Sequence, residues 1–299
     1  MTAEKKKRSH ANLDALSKLS LPAKRASFTY KIRESITSAR YLKSQGVENA
    51  VRLISNKRAH RQIARQTGVR PPKLYAGPAT KGDLKEPRQS KFVIKPIHGA
   101  NGKGVQLIRR TETGFRNIRT KETLPDWPSI LAAYPSKTQL LQVEELIRSD
   151  DYKLYSFYGE VALILQKRMV DNKPRYRWYD AAWRPIRTGK YRISPGRKRP
   201  SQEGQTALME AARQVSLAIP LPFVRVDFYL TRKNGVRLGE VPPHPGSYFK
   251  FNQKWDERLG RLYEEATARL HTDLLNGRGP RNFPERLSIG SVIRALLSR

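Results

Sequence analysis

The apolar positions of residues 29–66 recur with the period of a helix. Ile32 and Ile36 lie on one helical face, and Gly68 marks the point where the last helix of this stretch ends. The proline-containing residues 69–77 then predict an extended connection that enters a sheet. The pattern therefore predicts a helical N-terminal segment followed by β-structure.

Short apolar runs that are typical of β-strands come next. Residues 92–94 and 105–108 form two such runs on either side of a loop that contains glycines. Residues 140–147 form another run, which two glutamates interrupt. In residues 152–165, strand-like sequence flanks a turn at Tyr158-Gly159, so this stretch predicts a β-hairpin.

The rest of the chain mixes helical and strand patterns. Residues 203–218 and 255–270 have the apolar spacing of amphipathic helices. Residues 223–241 predict a second hairpin, because Asn-Gly, here Asn234-Gly235, is the strongest two-residue hairpin signal. Residues 169–199 are basic and aromatic and predict a short strand pair with a long loop.

Composition bounds the class of protein. The chain has 299 residues, 38% of them hydrophobic, which is enough for one large domain or two moderate ones. No apolar run approaches the roughly 18 residues of a membrane span, and the basic N-terminus lacks the apolar stretch of a secretory signal. Cysteine is absent, which excludes disulfides and thiolate chemistry and agrees with a reducing, cytoplasmic location.

The charge balance is unusual. Lysine and arginine number 59 against 26 acidic residues, so the formal net charge is +33. A field of this sign attracts polyanions such as nucleic acid, anionic lipid headgroups or acidic polymers. Because the basic residues are spread over the whole chain, a generally basic surface explains the charge as well as a dedicated docking face does. Charge alone therefore names no partner.

The glycine-bearing loop has the chemistry of a phosphate-binding loop. Residues 91–108 read KFVIKPIHGANGKGVQLI. Glycines let backbone N–H groups approach an anion closely, and Lys95 and Lys103 add positive charge. Because Gly104 and a strand-like run follow Lys103, this is not a P-loop, which opens a helix. A plain glycine turn with surface lysines is the alternative interpretation.

Two carboxylates are predicted to share one face of the second hairpin. Pairing outward from Asn234-Gly235 sets Tyr229 opposite Glu240. Asp227 is then the diagonal neighbour of Glu240. Such carboxylates repel unless a divalent metal or a basic side chain lies between them, and Arg225 shares the face. Oxygen ligands without cysteine or a nearby histidine pair indicate Mg²⁺ or Mn²⁺ held jointly with substrate phosphates. A solvated face whose charges pair with Arg225 is the alternative.

Together these stretches resemble the ATP-grasp superfamily, and most closely its TupA-like branch of teichuronopeptide biosynthesis. The matching motifs are FVIKPIHGANGKGV, VEELIRSDDYKLYSFYGEV, WYDAAW, FVRVDFYL, GEVPPHPGSYFKF and WDERLG. They follow the family's order over roughly residues 50–265. The resemblance implies an α+β, ATP-grasp fold. Two lobes with antiparallel sheets would grip ATP, preceded by a basic helical N-terminal segment.

The sequence pattern and the resemblance together predict a division of the chain. We expect a basic mobile tail at residues 1–26 with a weak helix near residues 13–21, a helical segment at 27–75, a small lobe with the glycine-rich loop at 76–143, a large lobe with the metal site at 144–275 and a basic C-terminal tail at 276–299.

The family's nucleotide-binding residues transfer onto this chain through its motifs. Lys95 would contact the α- and β-phosphates. The covering loop would consist of Gly99, Asn101, Gly102, Lys103 and Gly104, and the hinge at the adenine of Glu144, Glu145, Leu146 and Ile147. Asp151 stands where the fold commonly has a ribose-binding acid.

The catalytic and metal-binding residues transfer in the same way. Lys153 would contact a phosphate or the substrate, and Arg225 would stabilise the transferred phosphoryl group or the acyl phosphate. Asp227 and Glu240 would bind Mg²⁺. The usual third ligand is the asparagine of an E-x-N motif, but this chain has Glu240-Val241-Pro242. His244 is a candidate replacement, although a loop histidine more often has a surface or hydrogen-bonding role.

The resemblance implies an ATP-dependent carboxylate–amine ligase with ATP and Mg²⁺, or Mn²⁺, as cofactors. An acyl phosphate would form, and an amine would displace phosphate to give an amide. Family context suggests cell-envelope polysaccharide or peptide modification, with a natural-product substrate equally open, and the net charge suits an acidic polymer. Most such ligases begin with a Rossmann-like substrate domain, so the acceptor site here must be built differently.

Two other functions remain open from sequence. One is a phosphotransferase on the same fold, in which a hydroxyl receives the γ-phosphate. The other is a non-catalytic nucleic-acid or polyanion binder, in which the aromatics of residues 175–199 would stack on bases. Core packing of these aromatics is the simpler interpretation, and a nucleic-acid binder has no need for Asp227 and Glu240 on one face. The sequence does not determine the oligomeric state.

Overall fold

The fold is described from a computed structural model of the chain. It describes residues 26–55, 57–98, 102–171, 173–194, 199–231 and 235–280. Several predicted features lie outside these ranges, namely residues 1–25 of the N-terminal tail with its weak helix, Gly99 and Asn101 of the glycine loop, Asn234 of the second hairpin and residues 281–299 of the C-terminal tail.

The secondary structure mixes helices with twelve strands in the described ranges. The helices are α1 (Phe28–Ser44), α2 (Ala50–Ile54), α3 (Lys57–Gln66), α4 (Trp127–Ala132), α5 (Gln202–Leu217) and α6 (Gln253–Leu275), and a 3₁₀ turn covers Tyr248–Lys250. The strands are β1 (Leu74–Ala79), β2 (Lys91–Pro96), β3 (Gln106–Thr111), β4 (Gly114–Asn117), β5 (Thr123–Leu124), β6 (Leu141–Glu145), β7 (Asp151–Phe157), β8 (Glu160–Val170), β9 (Lys173–Asp180), β10 (Pro185–Ile186), β11 (Val224–Leu230) and β12 (Val236–Glu240).

The strands form two separate antiparallel sheets. The first, in the order β1-β6-β2-β3-β4-β5, is the small lobe. The second, in the order β10-β9-β8-β7-β11-β12, is the large lobe. Apolar side chains of β2 and β6, including Phe92, Ile94 and Val143, pack with α4 to form the small-lobe core. The predicted α+β architecture with two antiparallel sheets is confirmed.

The two faces of the large sheet pack against different helices. On the back face, Leu154, Val226 and Phe228 pack against α5 and α3. On the front face, Tyr155 and Trp178 pack against α1 and α6. The front face is only partly covered in this way, and the rest of it carries the charged residues of the candidate site.

The N-terminal helical segment is part of the large-lobe core. Ser27 caps α1 and donates its hydroxyl hydrogen to Asp256 of α6 at 2.6 Å. Gly260 allows this close contact, because a Cβ there would lie 2.5 Å from the backbone nitrogen of Ser27. Phe28 at the start of α1 is fully buried among aromatic rings. The segment therefore folds onto the large lobe rather than standing apart from it.

The first predicted hairpin is confirmed. β7 and β8 pair antiparallel around Tyr158 and Gly159, both of which have positive φ angles. The aromatic stretch that follows is largely interior, since Trp178, Tyr179 and Trp183 have exposed fractions of 0%, 0% and 4%. These three rings therefore pack in the core, as the simpler interpretation of residues 175–199 expected, and do not form a surface for stacking bases.

The second hairpin has a different register from the one predicted. Asp227 lies directly opposite Glu240, and Tyr229 lies opposite Arg237. The predicted pairing of Tyr229 with Glu240 is wrong, because Leu230 pairs with Val236 and a loop longer than two residues joins the strands. A bulge between Asp227 and Phe228 then brings Asp227 into register with Glu240. Asp227 and Glu240 are therefore closer in register than predicted, because they are direct rather than diagonal neighbours.

Candidate active site

A buried carboxylate lies at the centre of the front face of the large sheet. Asp227 of β11 is 5% exposed and pairs across the sheet with Lys153 of β7. Nζ of Lys153 donates to Oδ2 of Asp227 at 2.6 Å. Arg225, two residues earlier on the same strand face, donates from Nε to Oδ1 at 2.6 Å and from its terminal nitrogen to Oδ2 at 2.7 Å. The carboxylate thus accepts three charge-assisted hydrogen bonds.

A second carboxylate extends this cluster. Asp151 precedes Lys153 by two residues on β7, and its Oδ2 lies 2.7 Å from Nζ of Lys153. Lys153 is therefore shared between two acids, and Lys167 of β8 lies directly opposite Asp151. The structure brings together four sequence-predicted residues here, Lys153, Asp151, Arg225 and Asp227. It adds Lys167, which sequence reasoning missed because only the β7–β8 register puts it beside Asp151.

The electrostatics of the cluster follow from burial and close opposite charge. Burial works against ionisation of Asp227, but Arg225 and Lys153 outweigh it and lower the pKa of this carboxyl. Burial raises the pKa of Asp151. The negative charge of Asp227 raises it further, and the positive charge of Lys153 lowers it only in part. Burial also opposes the charge on Lys153, yet Asp227 and Asp151 raise its pKa. Asp227 is therefore held ionised between two cations.

A buried lysine lies behind Arg225. Lys190 is 1% exposed, and its Nζ donates to the hydroxyl oxygen of Tyr155 at 3.2 Å and to the carbonyl oxygen of Gly246 at 2.6 Å. Burial, followed by the positive charges of Arg225 and Lys250, lowers the pKa of Lys190 to about 7. In the described part of the chain no carboxylate forms an ion pair with it. The surroundings of Arg225 therefore include a buried lysine that loses its proton more readily than an ordinary lysine.

The small lobe contributes a second charged cluster. Lys95 of β2 forms an ion pair with Glu144 of β6, which is 5% exposed. Gln142 donates to Oε2 of Glu144 at 2.9 Å, and Arg61 of α3 lies 3.5 Å from the same oxygen. Lys95 and Glu144, predicted separately as a phosphate contact and a hinge residue, are thus direct partners. Arg61 was not predicted as a site residue.

The two lobes meet at a short hinge formed by two segments of the chain, residues 70–73 and residues 145–150. The N–H of Glu145 donates to the carbonyl oxygen of Lys73 at 2.8 Å, and the side-chain Oε2 of Glu145 accepts from the N–H of Lys73 at 3.2 Å. Arg70 accepts from the N–H of Leu238 in the large sheet at 2.9 Å. Residues 146–150 then connect β6 to β7, with Leu146 and Ile147 partly buried. The predicted hinge residues therefore lie where the two sheets join.

The glycine-rich loop adjoins the Lys95 strand. Gly104 has a φ of +70°, and a Cβ there would lie 3.0 Å from Cγ of Pro96. Tyr134 donates its hydroxyl hydrogen to the carbonyl of Gly104 at 2.8 Å and so anchors this end of the loop. Gly102 also has a positive φ, and Lys103 is exposed. The described part of the loop is therefore tied to the strand that carries Lys95.

The residues present fit a hard divalent cation. Asp227 and Glu240 are directly paired residues of β11 and β12, and Arg225 and Lys153 lower the pKa of Asp227. Within the described ranges no group of three or more histidine, cysteine or acidic side chains forms a closed metal cage. Such an oxygen-only pair suits Mg²⁺, which takes one or two carboxylates and completes its shell with phosphate oxygens and water.

The residues that replace the family's usual third ligand have structural partners. Pro242 accepts a hydrogen bond through its carbonyl from the N–H of Arg225 at 3.1 Å. Nε2 of His244 lies 3.0 Å from Oγ of Ser35 on α1, and burial lowers the pKa of His244 to about 4. His244 therefore links the loop after β12 to α1, which agrees with the hydrogen-bonding role that a loop histidine more often has.

A larger cavity lies on the opposite face of the large lobe. It has a volume of about 560 Å³ and is lined by residues that include Trp183, Arg199, Met209 and Arg213. It adjoins α5, whereas the charged clusters lie on the front face and at the hinge. Its size therefore does not make it the site of the chemistry.

Comparison with known proteins adds four findings. The profile of the TupA-like ATPgrasp family matches residues 137–264. The D-alanine–D-alanine ligase from Bacillus anthracis has a similar structure, with 16% identity, a TM-score of 0.50 and coverage of 78% of this chain and 75% of that chain. The same ligase complexed with ATP gives 15% identity, a TM-score of 0.50 and coverage of 79% and 76%. No curated protein sequence matches the chain. At these identities the structural likeness shows the fold alone.

Proposed function

We propose that this chain, an ATP-grasp protein whose residues 137–264 match the TupA-like family, is an ATP-dependent carboxylate–amine ligase. The observation that carries the proposal is the buried Asp227 with Lys153 and Arg225 on the front face. Ionised groups are expensive to bury, and clusters of this kind occur where charge changes during a reaction. Strand β2 of the small lobe carries Lys95, the cation expected to contact the nucleotide.

The reaction would proceed in two balanced steps. A carboxylate oxygen of the first substrate attacks the γ-phosphorus of ATP, and the bond from that phosphorus to the β-phosphate oxygen breaks, giving ADP and an acyl phosphate. The nitrogen of an amine then attacks the acyl carbon and loses a proton. The carbon–oxygen bond to phosphate breaks, so the products are an amide and inorganic phosphate.

The protein's own contribution would be to position the reactants and to stabilise charge. Lys95 would contact the α- and β-phosphates, and backbone N–H groups of the glycine-rich loop would cover them. Lys153 and Arg225 would stand at the transferred phosphoryl group. In the free protein both are bonded to Asp227, which orients them before substrate arrives.

Asp227 and Glu240 would hold Mg²⁺, with Mn²⁺ as a substitute. When bound, the ion would neutralise part of the phosphate charge. Its affinity would depend on Asp227 remaining ionised, and Arg225 and Lys153 keep the pKa of this carboxyl low. The two cations and the metal would then share one carboxylate, so nucleotide and metal binding should be interdependent.

The substrate classes follow from the reaction, and charge supports one further proposal. A carboxylate and an amine are required, either as small molecules or attached to a polymer. The net charge of +33 suits an acidic polymer as the acceptor. Among the helices that the structure describes, none combines the length and apolar content needed to cross a bilayer.

The test is ADP release from ATP–Mg²⁺ against panels of amino acids and sugar acids, with hydroxylamine present as the amine. Hydroxylamine converts an acyl phosphate to a hydroxamate, which is detected by its ferric complex. Carboxylate-dependent ADP release with hydroxamate formation is the expected result. ADP release that yields a stable phosphate ester and no hydroxamate would instead establish a phosphotransferase.

A further inference from the structure

Arg61 connects the two lobes at the hinge. Its helix, α3, belongs to the large-lobe core through Ile63 and Ala64, which are 0% and 1% exposed. Its guanidinium reaches across to the small lobe, where it lies 3.5 Å from Oε2 of Glu144. Arg61 therefore stands outside residues 137–264, the part that matches the family profile, and still contacts a predicted nucleotide-binding residue.

The side chain lines the cleft between the sheets. The cleft is bounded by Arg61 on α3, by Pro71 in the hinge, by Lys95 and Glu144 on the small lobe and by Gly239 on β12. A nucleotide held between the sheets beside Lys95 would have to pass close to the Arg61 guanidinium. Arg65, one turn later on α3, is exposed and does not line this cleft.

The charges in the cleft do not balance. Lys95 and Arg61 are two cations that share one carboxylate, Glu144. Burial lowers the pKa of Arg61, and the attraction of Glu144 only partly offsets that effect. A guanidinium buried at this cost is better stabilised by a further anion, and its planar fork suits phosphate oxygens.

We propose that Arg61 binds a phosphate group of the nucleotide, and that it exchanges its contact with Glu144 for that phosphate when the nucleotide enters. This inference rests on the ATP site of the proposed function but not on the ligation chemistry. It gives the N-terminal helical segment a part in the nucleotide site. The nucleotide would then contact α3 as well as the two sheets.

The first test is calorimetry of ATP–Mg²⁺ with the full chain and three variants. Arg61→Gln should weaken ATP binding at least tenfold, and Arg61→Lys, which keeps the charge, should weaken it less than fivefold. Arg65→Gln removes an equal charge from the next turn of α3 and should change the affinity less than twofold. Unchanged affinity in Arg61→Gln would overturn the proposal. Equal loss in Arg65→Gln would do so too, by assigning the effect to the general basic field.

A second measurement separates direct contact from an effect through Glu144. In Glu144→Gln the negative partner of Arg61 is gone, so an arginine that merely neutralises Glu144 has nothing left to do. We expect Arg61→Gln to weaken ATP binding at least fivefold in the Glu144→Gln background as well. A loss that disappears in that background would overturn the phosphate contact. Tight ATP binding without any ligation would refute the ligase proposal and leave this inference standing.

Discussion

Lys153 and Asp227 face each other across one rung of the large sheet, with Nζ of the lysine 2.6 Å from Oδ2 of the aspartate. This pair joins the neighbouring strands β7 and β11 and stands where the reacting groups are expected. Arg225 bonds the same carboxylate. Removing the negative charge of Asp227 would therefore leave the buried cations Lys153 and Arg225 without the anion that both contact. The relationship therefore has consequences for both stability and metal binding.

Asp227→Asn should lose most of the Mg²⁺ dependence of ATP binding. A neutral amide is a poor Mg²⁺ ligand and cannot hold both Lys153 and Arg225 as an ionised carboxylate does. We expect ATP affinity in the presence of Mg²⁺ to fall at least tenfold and unfolding to become easier by about 2–4 kcal/mol. Calorimetry with and without Mg²⁺, together with urea unfolding, measures both effects.

Asp180→Asn provides the matched control for this variant. Asp180 ends β9 in the same sheet and bonds Arg184 at 2.7 Å, away from the cluster. It should leave ATP affinity within twofold of the parent. An Asp227→Asn protein that is folded and binds ATP–Mg²⁺ as tightly as the parent would refute the metal assignment.

Lys95→Gln should abolish most ATP binding while leaving the fold intact. The variant removes the cation expected at the α- and β-phosphates and leaves Glu144 paired only with Arg61. A charge-assisted contact of this kind contributes about 1.5–3 kcal/mol, which corresponds to a ten- to hundredfold loss of affinity. Lys91→Gln, at the exposed start of the same strand, is the control and should bind ATP normally. Equal affinity in the two variants would contradict the role of Lys95.

The parts of the site that the sequence could predict are those set by local pattern. The Tyr158-Gly159 turn fixes the β7–β8 hairpin, and the alternation of side chains within β7 puts Lys153 on the same face as Asp151. Arg225 and Asp227 share a face because residues two apart on a strand always do. These predictions needed only strand periodicity and turn chemistry, and the structure confirms the geometry behind them.

The parts that could not be predicted depend on contacts between distant segments. Arg61 and Glu144 are 83 residues apart, and the periodicity of neither segment predicts that the two side chains are in contact. Lys190 is buried because the loop that carries Gly246 folds over it, 56 residues later. The register of Asp227 and Glu240 failed for a different reason. The predicted register requires a two-residue turn, whereas a longer loop joins the strands and a bulge pairs Asp227 directly with Glu240.

Gly260→Ala should destabilise the docking of α1 on α6. The added Cβ would lie 2.5 Å from the nitrogen of Ser27 and 2.7 Å from the carbonyl carbon of Ala26, both backbone atoms that cannot rotate away. We expect a loss of about 1–3 kcal/mol in the free energy of unfolding, as for overpacked sites. Thr272→Ala, on the exposed side of α6, should change it by less than about 0.5 kcal/mol. Equal stability of the two variants would contradict the close packing of these helices.

Lys190→Met should change how stability depends on pH. Burial lowers the pKa of Lys190 to about 7 in the folded protein, against 10.5 for an unperturbed lysine. Between these two values the unfolded chain binds a proton here that the folded protein does not, so this residue makes stability rise with pH by up to about 1.4 kcal/mol per unit. Below pH 7 both states are protonated, and the cost of the buried charge is fully present.

The methionine variant removes that cost but also the hydrogen bonds to Tyr155 and Gly246, so its absolute stability is less informative than its trend. Relative to the parent, it should be most favoured at pH 6, and the difference should shrink steadily toward pH 9. Urea unfolding at four pH values measures this. Lys254→Met, at an exposed position of α6, should show a constant difference from the parent. A constant difference for Lys190→Met would mean that the lysine keeps its proton throughout, stabilised by the aromatic rings of Tyr191 and Phe251 that surround it.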